Sequence, residues 1–182
     1  MIICVTGPMA AGKNFVCSQL EEKGWISLDA DKLAHKAINK NEEQILTAFS
    51  KEANQAKIDL KKADGKLNRK ALGKLVFSSP KLLARQESII YPTIIEETKD
   101  FIQSHRDSDI ILNATVLYKT PELLSMCEKI IFVTAPILTR LFRALKRDKL
   151  SAREILKRFH AQKNLLSKYE DVGIPIEIYK NY

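Results

Sequence analysis

The apolar positions of this chain fall into short continuous runs separated by longer stretches with helical spacing. Residues 1–5 (Met-Ile-Ile-Cys-Val) are apolar throughout, the pattern of a strand buried on both faces. Similar runs recur at 26–28, 110–112, 130–133 and 174–178. Between Asn14 and Lys23, the apolar Phe15, Val16 and Leu20 recur at the period of a helix. Residues 32–50, 67–76 and 82–103 also read as helical, with a turn at 62–65 and a stop and restart at Ser78-Ser79-Pro80. Strands alternating with helices predict an α/β fold. Its five-stranded sheet is mostly parallel, with helices on both faces as a third layer. The long gap between the second and third strands, 32–107, predicts a helical excursion from the strand tips, where open α/β sheets bind their ligands.

The first strand runs into Gly7-Pro8-Met9-Ala10-Ala11-Gly12-Lys13-Asn14. This is G-x-x-x-x-G-K followed by Asn, where a phosphate-binding P-loop has Ser or Thr. Gly7 and Gly12 let the backbone turn its amides inward. The amides of 10–15, with the positive end of the next helix, form an anion cradle. Ala10, Ala11, Asn14 and Phe15 contribute backbone there, and Lys13 reaches the β- and γ-phosphates as a point charge. A strand before and a helix after make an ordinary turn with a surface lysine the poorer reading.

Length and composition narrow the class. A chain of 182 residues with 45% hydrophobic content suits one domain with a sizeable core. Three cysteines, Cys4, Cys17 and Cys127, are too few for a disulfide frame or a zinc site. Buried reduced thiols in a cytoplasmic protein are expected instead. The N-terminal apolar run is too short for a signal peptide, and no segment could span a membrane. Net charge is +8, and residues 140–163 hold nine Lys/Arg against two acids. Only Phe142 and Phe159 interleave with that patch, too few for a single-strand stacking platform, so a phosphate partner is expected and nucleic acid is not. His35 and His105 are expected at the surface, and His160 lies in the basic lid segment.

Two constellations add chemistry. Asp29-Ala30-Asp31 follows the second strand and offers carboxylates that can take a hydroxyl proton, suit magnesium, or cap a helix. Arg140, Arg143 and Arg147 fall at i, i+3 and i+7, on one helical face that can point at phosphates. The following 151–163 stretch reads as a mobile helical lid. Asp109-Ile-Ile-Leu-Asn113 ends in an amide where a metal-binding strand would carry an acid.

Together these segments resemble the dephospho-CoA kinase family over nearly the whole chain. Asp29-Ala30-Asp31 with Leu33-Ala34 looks like its D-A-D signature. Asp64-Gly65-Lys66-Leu67-Asn68-Arg69, then Leu72 and Phe77, is similar to its D-G-x-L-x-R segment. Tyr91-Pro92 falls where the family has His-Pro, Arg143 and Arg147-Asp148 match R-x-x-x-R-D, and Gln162 matches the lid's glutamine. The resemblance implies a P-loop kinase with a nucleotide core (1–31 and 108–182), a coenzyme-binding excursion (32–107) and a lid at about 143–163. ATP would be the donor, magnesium the metal, and dephospho-CoA the acceptor, in a monomer or weak oligomer. Asp31 would serve as base, with Lys13, Arg143 and Arg147 on the phosphates. Asn181 would lie near the adenine. Asp29, Asp31, Arg69 and Tyr91 would bind the acceptor, and Asn14 and Asp31 the metal. Another small-molecule kinase, or a nucleotide binder without catalysis, is the alternative that the neutral Asn14 and Asn113 leave open.

Overall fold

The computed structural model describes residues 1–148 and 150–182; Lys149, within the predicted lid, lies outside the described residues. Five strands, β1 (Ile2–Thr6), β2 (Ile26–Asp29), β3 (Ile110–Asn113), β4 (Lys129–Thr134) and β5 (Ile176–Lys180), form one sheet in the order β2-β3-β1-β4-β5. Every pairing is parallel. The expected buried strands are in place: Cys4, Val5, Ile111, Ile130 and Val133 are sealed from solvent. The last strand starts two residues later than its apolar run, after Pro175, whose carbonyl accepts from the Ile130 amide. Proline itself cannot donate to the ladder.

Contact density divides the chain into two compact units, Met1–Ala30 with Thr98–Tyr182, and Asp31–Glu97. The first holds the sheet. One face packs on α1 (Lys13–Glu21), where Val16 and Cys17 join Ile3, Val5, Ile131 and Val133. The second unit is helical. The single stretch expected at 32–50 is two helices, α2 (Ala30–Lys40) and α3 (Glu42–Gln55), broken at Asn41. Asn41 marks the break: its backbone N–H and its side-chain amide both donate to Ala37 O (3.0 Å and 2.8 Å), and the side-chain amide also donates to Thr93 Oγ1 (2.9 Å), which ties the junction to the later helix that carries Thr93. The turn at 62–65 is present, with Gly65 at φ 81° and a bridge between Lys61 and Leu67. Asn68 then caps α4 (Arg69–Val76), accepting from the Ala71 amide. The long α5 (Pro80–Ser104) carries Pro92 in its interior. Ile45, Phe49, Leu72 and Val76 fill this unit's core.

His105 departs from expectation. It is half-buried, with Nδ1 2.8 Å from Phe101 O and its ring 4.4 Å from that of Phe101. His35 is exposed as expected, and His160 is exposed as well.

Candidate active site

Strand order decides where the site forms. β1 is central, and the chain crosses first to one side of it and then to the other, so the carboxyl end of β1 is the switch point where ligands bind such sheets. The glycine-rich loop leaves β1 there and enters α1 at Lys13.

Both loop glycines are required by close approach. Gly7 has φ 145°, and a Cβ on it would lie 2.1 Å from Val133 O. Gly12 has φ 101°, and its Cβ would meet Asn181 Nδ2 at 1.9 Å. Neither place admits a side chain. Ala10 also adopts a left-handed conformation, φ 61°. The amides of Ala11 and Phe15 are engaged within the loop, donating to Pro8 O (3.1 Å) and Gly12 O (3.0 Å). That removes two donors from the cradle expected at 10–15. The amides of Gly12, Lys13 and Asn14 open the helix, where backbone N–H groups and the helix dipole favour an anion. Lys13 Nζ donates to Gly7 O at 3.0 Å, folded across the loop it would serve.

Around this loop the sheet unit gathers several of the expected residues. Arg143 Nη1 donates to Ala11 O (3.3 Å) and Asn181 Nδ2 to the same oxygen (3.0 Å). Asn181 is held by its own amide on Thr134 O, which ties β5 to β4. Asn113 Nδ2 donates to Asn14 Oδ1 at 3.0 Å, and Asn113 lies opposite Asp29 in the register of β2 and β3. The Cys17 thiol, one turn into α1, feels this setting. Burial chiefly pushes it up to about 12; Glu21 and Asp29 raise it further, while Lys13 opposes them.

The arginine face splits. Helix α6 (Ile137–Arg147), following β4, carries all three residues. Arg140 and Arg143 reach the loop, whereas Arg147 turns to Asp148 in a two-pronged pair at 2.9 Å and 2.9 Å. Helix α6 ends at Arg147, so the last arginine sits beside the C-cap residue Asp148. The lid helix α7 (Ala152–Ala161) begins with a capping box, Ser151 with Glu154. The remaining candidates belong to the helical unit. Asp31 is in the first turn of α2, Arg69 opens α4 exposed, and Tyr91 is half-buried in α5. Helix α2 begins at Ala30, so Asp31 lies inside it and does not cap it.

Two contacts had no local signal in the sequence. Gln162 Oε1 accepts from the Met9 amide at 2.7 Å across 153 positions. Thr6 Oγ1 and Tyr169 Oη meet at 3.0 Å beneath the loop, and Tyr169 donates to Thr115 O at 3.1 Å. Burial holds the Tyr169 phenol well above its usual range.

A metal ion at this loop would find an oxygen donor of the right hardness in the Asn14 amide oxygen. Among the described residues no cluster of three or more His, Cys, Asp or Glu could hold a metal by itself. The donor set therefore fits an ion carried mainly by substrate phosphates, as magnesium is in kinases.

A parallel sheet of this order, with a G-x-x-x-x-G-K loop after its central strand and an arginine helix feeding a lid, defines a P-loop kinase. The family model described as dephospho-CoA kinase matches residues 1–172. The chain is 35% identical to dephospho-CoA kinase of Treponema denticola, over 100% of this chain and 82% of that protein. It is 35% identical to that of Treponema pallidum, over 92% and 80%. The structure matches that of TT1252 from Thermus thermophilus with a TM-score of 0.82 and 26% identity, covering 100% of this chain and 88% of the other. Shikimate kinase of Acinetobacter baumannii shares the fold at a TM-score of 0.50 and 15% identity, over 100% and 84%. The chain belongs to the dephospho-CoA kinase family, and it is an ATP-dependent phosphotransferase with an alcohol group as acceptor.

Proposed function

We propose that the chain transfers the γ-phosphoryl group of ATP to the ribose 3′-hydroxyl of dephospho-CoA, with the Gly7–Asn14 loop as the donor site. The observation that carries this reading is the convergence on the loop: Lys13, Arg143, Asn181 and the Asn14–Asn113 pair all meet it at the carboxyl edge of the sheet.

In the mechanism we infer, the amides of Gly12, Lys13 and Asn14 bind the phosphates, and Lys13 exchanges Gly7 O for a phosphate oxygen. Arg143 stabilises charge spreading over the transferring group, and Arg147 adds to it on leaving Asp148. Asp31 accepts the proton of the 3′-hydroxyl as the oxygen attacks, and Asp29 orients that hydroxyl. Arg69 and Tyr91 bind the coenzyme on the helical unit. Asn181 lies against the adenine. Asn14 and Asp31 would hold magnesium, which would supply neutralisation of phosphate charge. The buried cysteines, all unpaired, suit a reducing cytoplasm, and we take the working form to be a monomer or weak oligomer.

ADP release measured with dephospho-CoA, with AMP and with no acceptor tests the reading. Turnover that needs dephospho-CoA is expected. Equal rates with AMP, or none with any acceptor, would overturn it.

A further inference from the structure

The tip of the phosphate loop is built into the lid. The Met9 backbone is gripped on both sides of its Cα: its N–H donates to Gln162 Oε1 at 2.7 Å, and its carbonyl accepts from Arg140 Nε at 2.9 Å. The two grips come from opposite ends of the basic segment, Arg140 in α6 and Gln162 at the end of α7. Arg140 also lies flat over the Phe159 ring, with the guanidinium carbon 4.1 Å from the ring centroid. Burial lowers the Arg140 guanidinium below its ordinary value, and among the described residues no carboxylate pairs with it. Met9 and Ala10 pack on the small core of Ala144, Ile155 and Phe159, with Leu141 and Leu150. Its Nε is committed to a backbone carbonyl and its guanidinium to an aromatic ring, while its Nη2 is buried without a hydrogen-bond partner.

We propose that Arg140 and Gln162 are positioning residues that hold the Met9 backbone, so that the phosphate loop and the lid form one mechanical element. The inference rests on the phosphate-loop reading above. Its content is that the loop's shape is set by the lid, and that a lid which swings away must release Met9. Ordering a loop backbone costs conformational entropy, and these contacts supply that ordering before nucleotide arrives. Loss of either grip therefore weakens ground state and transition state alike, raising KM for ATP while kcat holds.

The test uses the full chain with Gln162→Leu, Gln162→Glu, Arg140→Met and the Gln162→Leu/Arg140→Met double variant. ATP and ADP affinities are measured by calorimetry, kinetics in parallel, and exchange of the Met9 amide proton by NMR without nucleotide. Gln162→Leu changes no charge and should weaken ADP binding about tenfold, raise KM for ATP to match and leave kcat within about twofold. Gln162→Glu keeps an acceptor and should restore slow exchange at Met9. Because both residues act through the backbone of one residue, the double variant should bind ADP about as weakly as the worse single variant, where independent effects would multiply. Fast exchange at Met9 in the wild-type protein would overturn the proposal. So would unchanged ADP affinity in Gln162→Leu, or losses that multiply in the double variant. The exchange measurement needs neither nucleotide nor turnover, so it separates failure of the clamp from failure of the phosphate-loop reading.

Discussion

Asn113, at the end of β3, donates a 3.0 Å hydrogen bond to the side-chain oxygen of Asn14, at the start of α1. Two neutral amides thus occupy the places where a P-loop kinase has a hydroxyl and an acid. The bond also orients Asn14: its oxygen is presented on the Asn113 side, fixed by a buried partner rather than free to rotate.

From this pair comes the first prediction. An amide oxygen already sharing a hydrogen bond is a weak ligand for an ion that dehydrates reluctantly. Asn14→Ser should lower the magnesium concentration needed for half-maximal rate, and Asn14→Ser with Asn113→Asp should lower it further. Asn113→Leu removes the donor and should cost about 1 kcal/mol of stability, read by urea unfolding. An unchanged magnesium dependence in both Asn14 variants would show that the amide is an adequate substitute.

A second prediction separates the two aspartates. A group that takes the hydroxyl proton acts in the transition state, so its loss falls on kcat. Asp31→Asn should lower kcat by at least about 10²-fold with dephospho-CoA affinity nearly intact. Should Asp29→Asn give that pattern instead, the base is the residue opposite Asn113. Lys13→Ala, by contrast, should lose both ATP affinity and turnover.

Gly12 and Gly24 provide a third prediction with its own control. Both have left-handed backbones, φ 101° and 95°, but a Cβ on Gly12 strikes Asn181 while one on Gly24 meets nothing within 4 Å. Gly24→Ala should cost about 1 kcal/mol of stability and leave ATP binding alone. Gly12→Ala should cost more and sharply weaken ATP binding, because Asn181 must leave Ala11 O. Equal ATP affinity in the two variants would remove Asn181 from the nucleotide site.

The cysteines give a fourth. Burial pushes the Cys17 and Cys127 thiols up to about 12, and Cys4 well above its ordinary value. Against an ordinary thiol at about 8.5, the thiolate fraction at pH 8 falls by about three orders of magnitude. The native protein should therefore resist a thiol reagent at pH 8 for hours, and all three residues should react once it is unfolded in denaturant. Rapid labelling of Cys17 in the native state would mean that α1 opens away from the sheet.

Much of the fold was legible because its signals are local. Buried strands are continuous apolar runs, the loop is a spaced pair of glycines, and the turn at 62–65 and the restart at Pro80 are written in neighbouring residues. Lys13, Asn14 and Arg143 were singled out by such spacing and Asn181 by the family resemblance, and the structure brings all four to one loop. The break at Asn41 was not legible, because its side chain is held by Thr93, 52 positions away. Nor was the parting of Arg147 from Arg140 and Arg143: helical periodicity assigns a face but says nothing of where the helix stops against its surroundings. The grip of Arg140 and Gln162 on Met9, and the meeting of Thr6 with Tyr169, join positions more than 130 apart. What the sequence determined by itself was the set of elements and the chemistry each can offer, since periodicity and turn residues act within a few positions. Which side chains meet was decided only when parallel strand pairing placed Thr6, Asp29, Asn113, Thr134 and Lys180 along one edge of the sheet, because pairing is a choice among distant partners that local pattern does not encode.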